Sequence, residues 1–186
     1  MIEEPGSKVK DEVRTNWYVI TGGPGCGKTT MVNMLHQRGY QTAIEHARHY
    51  IDTMRVKGKT VEEIRKNQIE FQSAILEMQM AEEASHKPGD TIFFDRAIPD
   101  ARAYYRFLHL PEDDRLKEAL KSVAYKKIFI LDPLPIVNDY ARIEDGEAQQ
   151  KIHALITEVY TSLGFNIVRV PVLPPGERVN FILQHL

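Results

Sequence analysis

The chain has 186 residues, 42% of them hydrophobic, which suits one domain of ordinary size with a real core. Its formal charge of −2 gives no global basic field, which disfavours nucleic acid and anionic membrane surfaces as partners. A single cysteine excludes an internal disulfide, and the absence of any apolar run near ~18 residues excludes a membrane span by hydropathy. The polar start lacks a signal-peptide core, so the expectation is a cytoplasmic protein with a flexible tail over 1–15 and one nucleotide-binding domain over 16–186. Trp17 to Thr21 reads as a first strand, and Lys28 to Arg38 as a helix closed by Gly39. Gln41 to Glu45 reads as a short strand, and Thr60 to Ser85 as one long helix with Val61, Ile64, Phe71, Ile75 and Met78 on its apolar seam, interrupted at Gln68. Thr91 to Asp95 is a buried strand ending in an acid, followed by shorter helices over Asp100 to Leu108 and Glu112 to Ser122. Lys127 to Asp132 is another apolar strand. A polar stretch, Pro133 to Glu147, precedes an amphipathic helix carrying Ala148, Ile152, Leu155, Ile156, Val159 and Leu163 on one face. Asn166 to Val170 is the last strand, and Pro174-Pro175-Gly176 opens a final helix with Val179, Ile182, Leu183 and Leu186 inward. Strands alternating with helices predict a five-stranded parallel α/β sheet with helices on both faces.

The segment joining the first strand to the first helix carries the chemistry. Gly22-Gly23-Pro24-Gly25-Cys26-Gly27-Lys28-Thr29 fits G-x-x-x-x-G-K-[ST] at every fixed position, in the strand–loop–helix context the pattern requires. The glycines let successive backbone N–H groups converge on phosphate oxygens, and the helix that follows points its positive end at the same anion. The residues from Gly23 to Thr30, including Pro24, Gly25, Cys26 and Gly27, would form the cradle. Lys28 would reach the β- and γ-phosphates, and the Thr29 hydroxyl would ligate Mg²⁺.

In a parallel sheet, ligands gather beyond the carboxyl ends of the strands, where Glu45, Asp95 and Asp132 fall. Asp95 has the form of a Walker B acid that holds Mg²⁺ or receives a substrate proton; the alternative is a helix cap. Arg96 can grip phosphate or a substrate oxygen, or serve a structural ion pair. Glu45 can orient an acceptor hydroxyl, or form a surface pair with Arg48. Arg142, within Asp139-Tyr140-Ala141-Arg142-Ile143-Glu144-Asp145, can clamp the migrating phosphoryl group from a lid, or belong to a solvated connection. Asp100, Arg102, Tyr104 and Tyr105 are candidates for an acceptor pocket, with helix packing as the alternative for the tyrosines. His46 and His49 have helical spacing but no further ligand pattern that would make a zinc site.

Gly22 to Thr30, Glu45-His46-Ala47-Arg48, Phe94-Asp95-Arg96-Ala97-Ile98-Pro99-Asp100 and Arg142-Ile143-Glu144-Asp145 resemble the AAA-like P-loop ATP-binding family. That family is related to nucleoside and nucleotide kinases and to the ribosylnicotinamide kinase domain of a bifunctional NAD-salvage protein. The likeness runs from about Trp17 to His185. The Asp95-Arg96 pair is similar to the acid–arginine pairs of thymidylate and deoxynucleoside kinases. The resemblance implies a sheet of nucleotide-kinase type, a short lid around Arg142, and MgATP as donor. No sensor or arginine-finger segment of a ring-forming motor is recognisable, and no Asn-Lys-x-Asp guanine reader is present, which leans the expectation to ATP.

Two functions fit these residues. The first is a kinase acting on a small-molecule acceptor such as a nucleoside or nucleotide, with Lys28, Asp95, Arg96, Arg142 and Glu45 at the reaction centre. The second is a nucleotide-dependent regulatory module with slow hydrolysis, whose lid reports nucleotide state to a partner.

Overall fold

β1 (Trp17–Thr21) is buried along its whole length because it lies at the centre of the sheet. The computed structural model describes residues 15–134 and 146–186. After β1 come α1 (Lys28–Gln37), β2 (Gln41–Ala43), α2 (His46–Val56), α3 (Val61–Lys66) and α4 (Gln68–Ser85). Then follow β3 (Ile92–Asp95), α5 (Ile98–Phe107), α6 (Asp114–Ser122), β4 (Lys127–Leu131), α7 (Gly146–Ser162), β5 (Ile167–Val170) and α8 (Pro175–Gln184). The five strands run parallel, as the alternation of elements predicts, and their order in the sheet is β2-β3-β1-β4-β5.

Side-chain alternation along the strands builds two layers. Val19, Phe94 and Ile130 point to one face, where Ile152, Ile156 and Tyr160 of α7 cover them. Tyr18, Ile20, Phe93 and Phe129 point to the other, under Met31 and Leu35 of α1 and Val179 and Ile182 of α8. Parallel register sets Ile20 beside Asp95, so the acid that ends β3 stands next to the start of the phosphate loop. None of the helices among the described residues is long and apolar enough to cross a membrane.

The structure corrects several boundaries. The long helix expected over Thr60 to Ser85 is two helices. Asn67 (φ −101°, ψ 89°) breaks it and caps α4 by accepting from the Glu70 N–H at 3.2 Å, which is why Gln68 falls off the apolar seam. The second strand ends at Ala43, and Glu45 instead occupies the N-cap position of α2, a helix the sequence reading left unassigned. α5 starts at Ile98 rather than Asp100, with Pro99 in its first turn, where a missing N–H costs nothing. Leu186 lies past α8 and is exposed rather than inward.

Candidate nucleotide-binding site

The loop between β1 and α1 is held from two sides. A Cβ on Gly22 (φ +138°) would stand 2.8 Å from the Leu131 carbonyl, and one on Gly23 would stand 2.8 Å from the Gln149 carbonyl, so β4 and α7 press directly on the loop backbone. α7 adds polar contacts. Gln149 Nε2 donates to the Pro24 carbonyl at 2.7 Å, and the Gly23 N–H donates to His153 Nδ1 at 3.3 Å. Burial lowers the His153 pKa and favours the neutral ring this bond needs. From the other side comes Arg178 of α8, 1% exposed. Its guanidinium donates to the carbonyls of Cys26 at 2.7 Å, Asp132 at 2.8 Å and Pro171 at 3.0 Å. Cys26 contributes its backbone to the loop, while its thiol packs among Tyr18, Ile20 and Met31, where burial pushes it up.

Lys28 is buried and donates from Nζ to the Gly23 carbonyl at 2.7 Å. Burial lowers its pKa and Arg96 adds to that effect, while Glu45 and Asp95 oppose it. The Thr29 hydroxyl donates to Asp95 Oδ2 at 3.0 Å. Asp95 Oδ1 is buried with no hydrogen-bond partner among the described residues. Burial and the nearby Glu45 raise the Asp95 carboxyl to about 7, against the pull of Lys28 and Arg96. Asp95 is not the cap of α5. That position belongs to Ala97, whose N–H donates to Asp100 Oδ2 at 3.1 Å. A hydroxyl beside a carboxylate with an unused buried oxygen fits Mg²⁺, which takes few protein ligands. Among the described residues, no cluster of three or more His, Cys, Asp or Glu could hold a metal by itself.

Arg96 adopts φ 68°, a left-handed conformation that costs on the order of 1 kcal/mol for a residue with a Cβ. Its surroundings hold it there. Its N–H donates to the Ile20 carbonyl at 3.0 Å, and its guanidinium lies 3.4 Å from both Glu45 and Asp100 and covers the Tyr104 ring at 5.1 Å. Burial opposes its charge, but Tyr104 and the acids outweigh burial and keep the pKa above the ordinary arginine value. Burial would raise Glu45, yet Arg96, Lys28 and Arg48 together hold it below the usual carboxylate range; Arg48 Nε is 3.8 Å from Glu45 Oε2.

A cavity of about 570 Å³ borders these parts, with Asp95 buried behind Thr29 rather than among its lining residues. It runs from Gly25, Lys28 and Thr29 past Glu45 and Arg96 into a lobe between α2, α4 and α5 walled by Ile51, Phe71 and Tyr104. Pro24, Gly27 and Thr30 also line it. Several sequence candidates lie elsewhere. Asp132 pairs with Arg169 at 2.9 Å outside the cavity, Arg102 with Glu112 at 2.9 Å, and Tyr105 packs with Leu76 and Leu116. Asp100 lines the cavity but is almost wholly buried, accepting from the hydroxyls of Thr21 at 2.5 Å and Tyr160 at 2.6 Å. Arg142 lies outside the described residues.

Arg178, Gln149, His153, Gln72 and Gln79 were not singled out by the sequence. For Arg178 a signal exists: it stands four residues before Ile182, on the apolar face of the last helix, where a cation needs a buried task. For Gln72 and Gln79 the only signal is polar residues near the seam of a helix.

A family model described as an AAA domain matches residues 17–178. No curated protein matches the sequence. Among solved structures, NadR protein in complex with NR superposes with a TM-score of 0.68 at 16% identity, over 91% of this chain and 49% of that one. The chain thus spans about half the length of NadR. Deoxyadenosine kinase from M. mycoides, with the products dCMP and dCDP bound, gives 0.64 at 14% identity over 91% of this chain and 97% of the kinase. The same kinase with dATP bound gives 0.65 at 15% identity with the same coverage. Identities this low make the likeness one of fold.

Proposed function

The chain belongs to the AAA domain family, and from that membership and the geometry of the cavity we propose that it is an ATP-dependent kinase acting on a small hydroxyl or phosphate acceptor of the nucleoside or nucleotide class. The observation that carries this reading is the continuity of the cavity. One space of about 570 Å³ joins the phosphate loop to an apolar and aromatic lobe, with Glu45 and Arg96 at the junction. Hydrolysis needs room only for water beside the γ-phosphate, whereas transfer to a second molecule needs such a lobe.

Phosphoryl transfer asks for alignment and charge neutralisation more than covalent chemistry. Lys28 exchanges the Gly23 carbonyl for phosphate oxygens, and the loop N–H groups hold the rest of the anion. Thr29 and Asp95 would hold Mg²⁺, which would supply shielding of the phosphate charge. Glu45, kept ionised by its cations, accepts the hydrogen bond that orients the acceptor hydroxyl. Arg96, fixed by Glu45, Asp100 and Tyr104, faces the transferred group from the acceptor side. The clamp on the transferred group is assigned to Arg142, which lies outside the described residues.

Lys28→Ala tests the donor half. Affinity for MgATP should fall roughly tenfold or more through loss of a charge-assisted contact, with little change in melting temperature without nucleotide. Unchanged affinity would remove the nucleotide from this loop.

A further inference from the structure

The lobe's wall carries polar atoms that the described residues leave unused. Gln79 of α4 is 3% exposed, and its Oε1 has no hydrogen-bond partner among the described residues. His46, the first residue of α2, is 6% exposed, and its Nδ1 is likewise unpartnered there. Both side chains line the cavity. They belong to one region of it, because α2 packs on α4 and Glu82, the next residue on Gln79's face, exerts the largest charge effect on His46. Burial lowers the His46 pKa and Glu82 opposes this, which favours the uncharged ring; with the proton on Nε2, Nδ1 presents the lone pair.

An unmet polar atom in a buried setting is unfavourable, and native proteins leave few of them. Gln79 Oε1 is an acceptor, and His46 Nδ1 is one in the tautomer protonated at Nε2, so together they mark a wall of the cavity where a guest donates. Ile51, Phe71, Ile75 and Tyr104 give this lobe apolar and aromatic surface that suits a flat ring, while Arg48, Arg65, Gln68 and Gln72 add polar lining.

We propose that Gln79 and His46 recognise the acceptor's ring by accepting hydrogen bonds from an amino or carboxamide N–H group on it. The inference rests on the phosphotransfer reading and names the substrate class of that same site: nucleosides whose base carries an amine or carboxamide donor. The acceptor hydroxyl then lies toward Glu45 and Arg96, at the end of the lobe nearest the phosphate loop. Specificity of this kind is strong, because a ring lacking the donor leaves the protein's buried oxygen and nitrogen unpaired.

Matched ligands test it on the full chain. Titration calorimetry would compare adenosine with purine riboside, cytidine with 2-pyrimidinone riboside, and ribosylnicotinamide with its analogue lacking the carboxamide. At least one donor-bearing member should bind roughly tenfold or more tightly than its partner. In Gln79→Met that ratio should fall toward one, with retained MgATP affinity showing an intact phosphate loop. Equal affinities within every pair, no binding by any member, or a ratio that survives Gln79→Met would overturn the proposal. The ligand comparison needs no variant, so a Gln79→Met protein that fails to fold leaves the test standing. ADP release with each acceptor separates the two levels. Stimulated turnover with equal affinities overturns ring recognition and leaves the kinase reading intact. A large affinity ratio without stimulated turnover supports ring recognition and overturns the kinase reading.

Discussion

Individual side chains at this site are governed by what burial does to charge. Asp95 and Glu83 show two uses of a buried carboxyl. Asp95 keeps one oxygen without a partner among the described residues, beside Thr29 of the phosphate loop. Asp95→Asn preserves size but would weaken the proposed hold on Mg²⁺, so on the kinase reading turnover should fall at least about a hundredfold while nucleotide affinity changes several-fold at most. Steady-state rates beside equilibrium binding check this, and an active Asn variant would leave Asp95 a structural residue. Glu83, behind the site on α4, accepts from the Tyr125 hydroxyl at 2.6 Å and the Ile98 N–H at 3.3 Å. Burial raises its carboxyl from 4.5 to about 7. Below the lower value both folded and unfolded chains hold the proton, and stability is full. As pH rises toward the higher value the unfolded chain releases its proton first, and folding loses on the order of 3 kcal/mol. Glu83→Gln keeps an acceptor for both donors and cannot ionise. It should be more stable than the parent near about pH 8 and match it near about pH 4 in urea denaturation. A gain of equal size at both pH values would contradict the buried ionisation. The phosphate loop itself was readable in the sequence because its residues are contiguous and its chemistry needs that order. Gln79 and His46 were not, because an unpaired buried atom exists only once α2 and α4 have packed.

At the scale of elements, the loop depends on helices far from it in sequence. Arg178 lies 152 residues from Cys26 and donates to its carbonyl, while also binding the chain beyond β4 and β5. Arg178→Met keeps the aliphatic bulk and leaves buried carbonyls unsatisfied. It should destabilise the fold by roughly 3 kcal/mol or more and weaken MgATP binding, read by denaturation and by titration. A loss below about 0.5 kcal/mol would mean that water replaces the guanidinium at no cost. Strand identities and order of appearance were legible because buried parallel strands are apolar runs between helices. The break at Asn67 was not, since the apolar spacing continues from Ile64 to Phe71 across it and only the capping geometry of Asn67 reveals two helices. Glu45 was read as a strand end for the same reason. Its role as N-cap of α2 depends on a helix whose polar face hides its few buried positions, His46 and Ile51.

The whole molecule is a parallel sheet whose central strand delivers the phosphate loop and whose neighbour β3 delivers Asp95 and Arg96 to the same edge. The helices after β2 and β3 then close a lobe over that edge. The order β2-β3-β1-β4-β5 makes this convergence a consequence of topology: strands adjacent in the sheet end side by side, so residues 70 or more apart in the chain meet. The proposed transfer to a second substrate rests on this lobe, which continues from the phosphate loop. The most direct test is ADP release from MgATP, with and without nucleosides, nucleoside monophosphates and ribosylnicotinamide, using Lys28→Ala as the blank. The account predicts release stimulated at least about tenfold by an acceptor and lost in the variant. Tight MgATP binding with release no faster than in the absence of acceptors, across the whole panel, would contradict it and identify a nucleotide-dependent binding module instead.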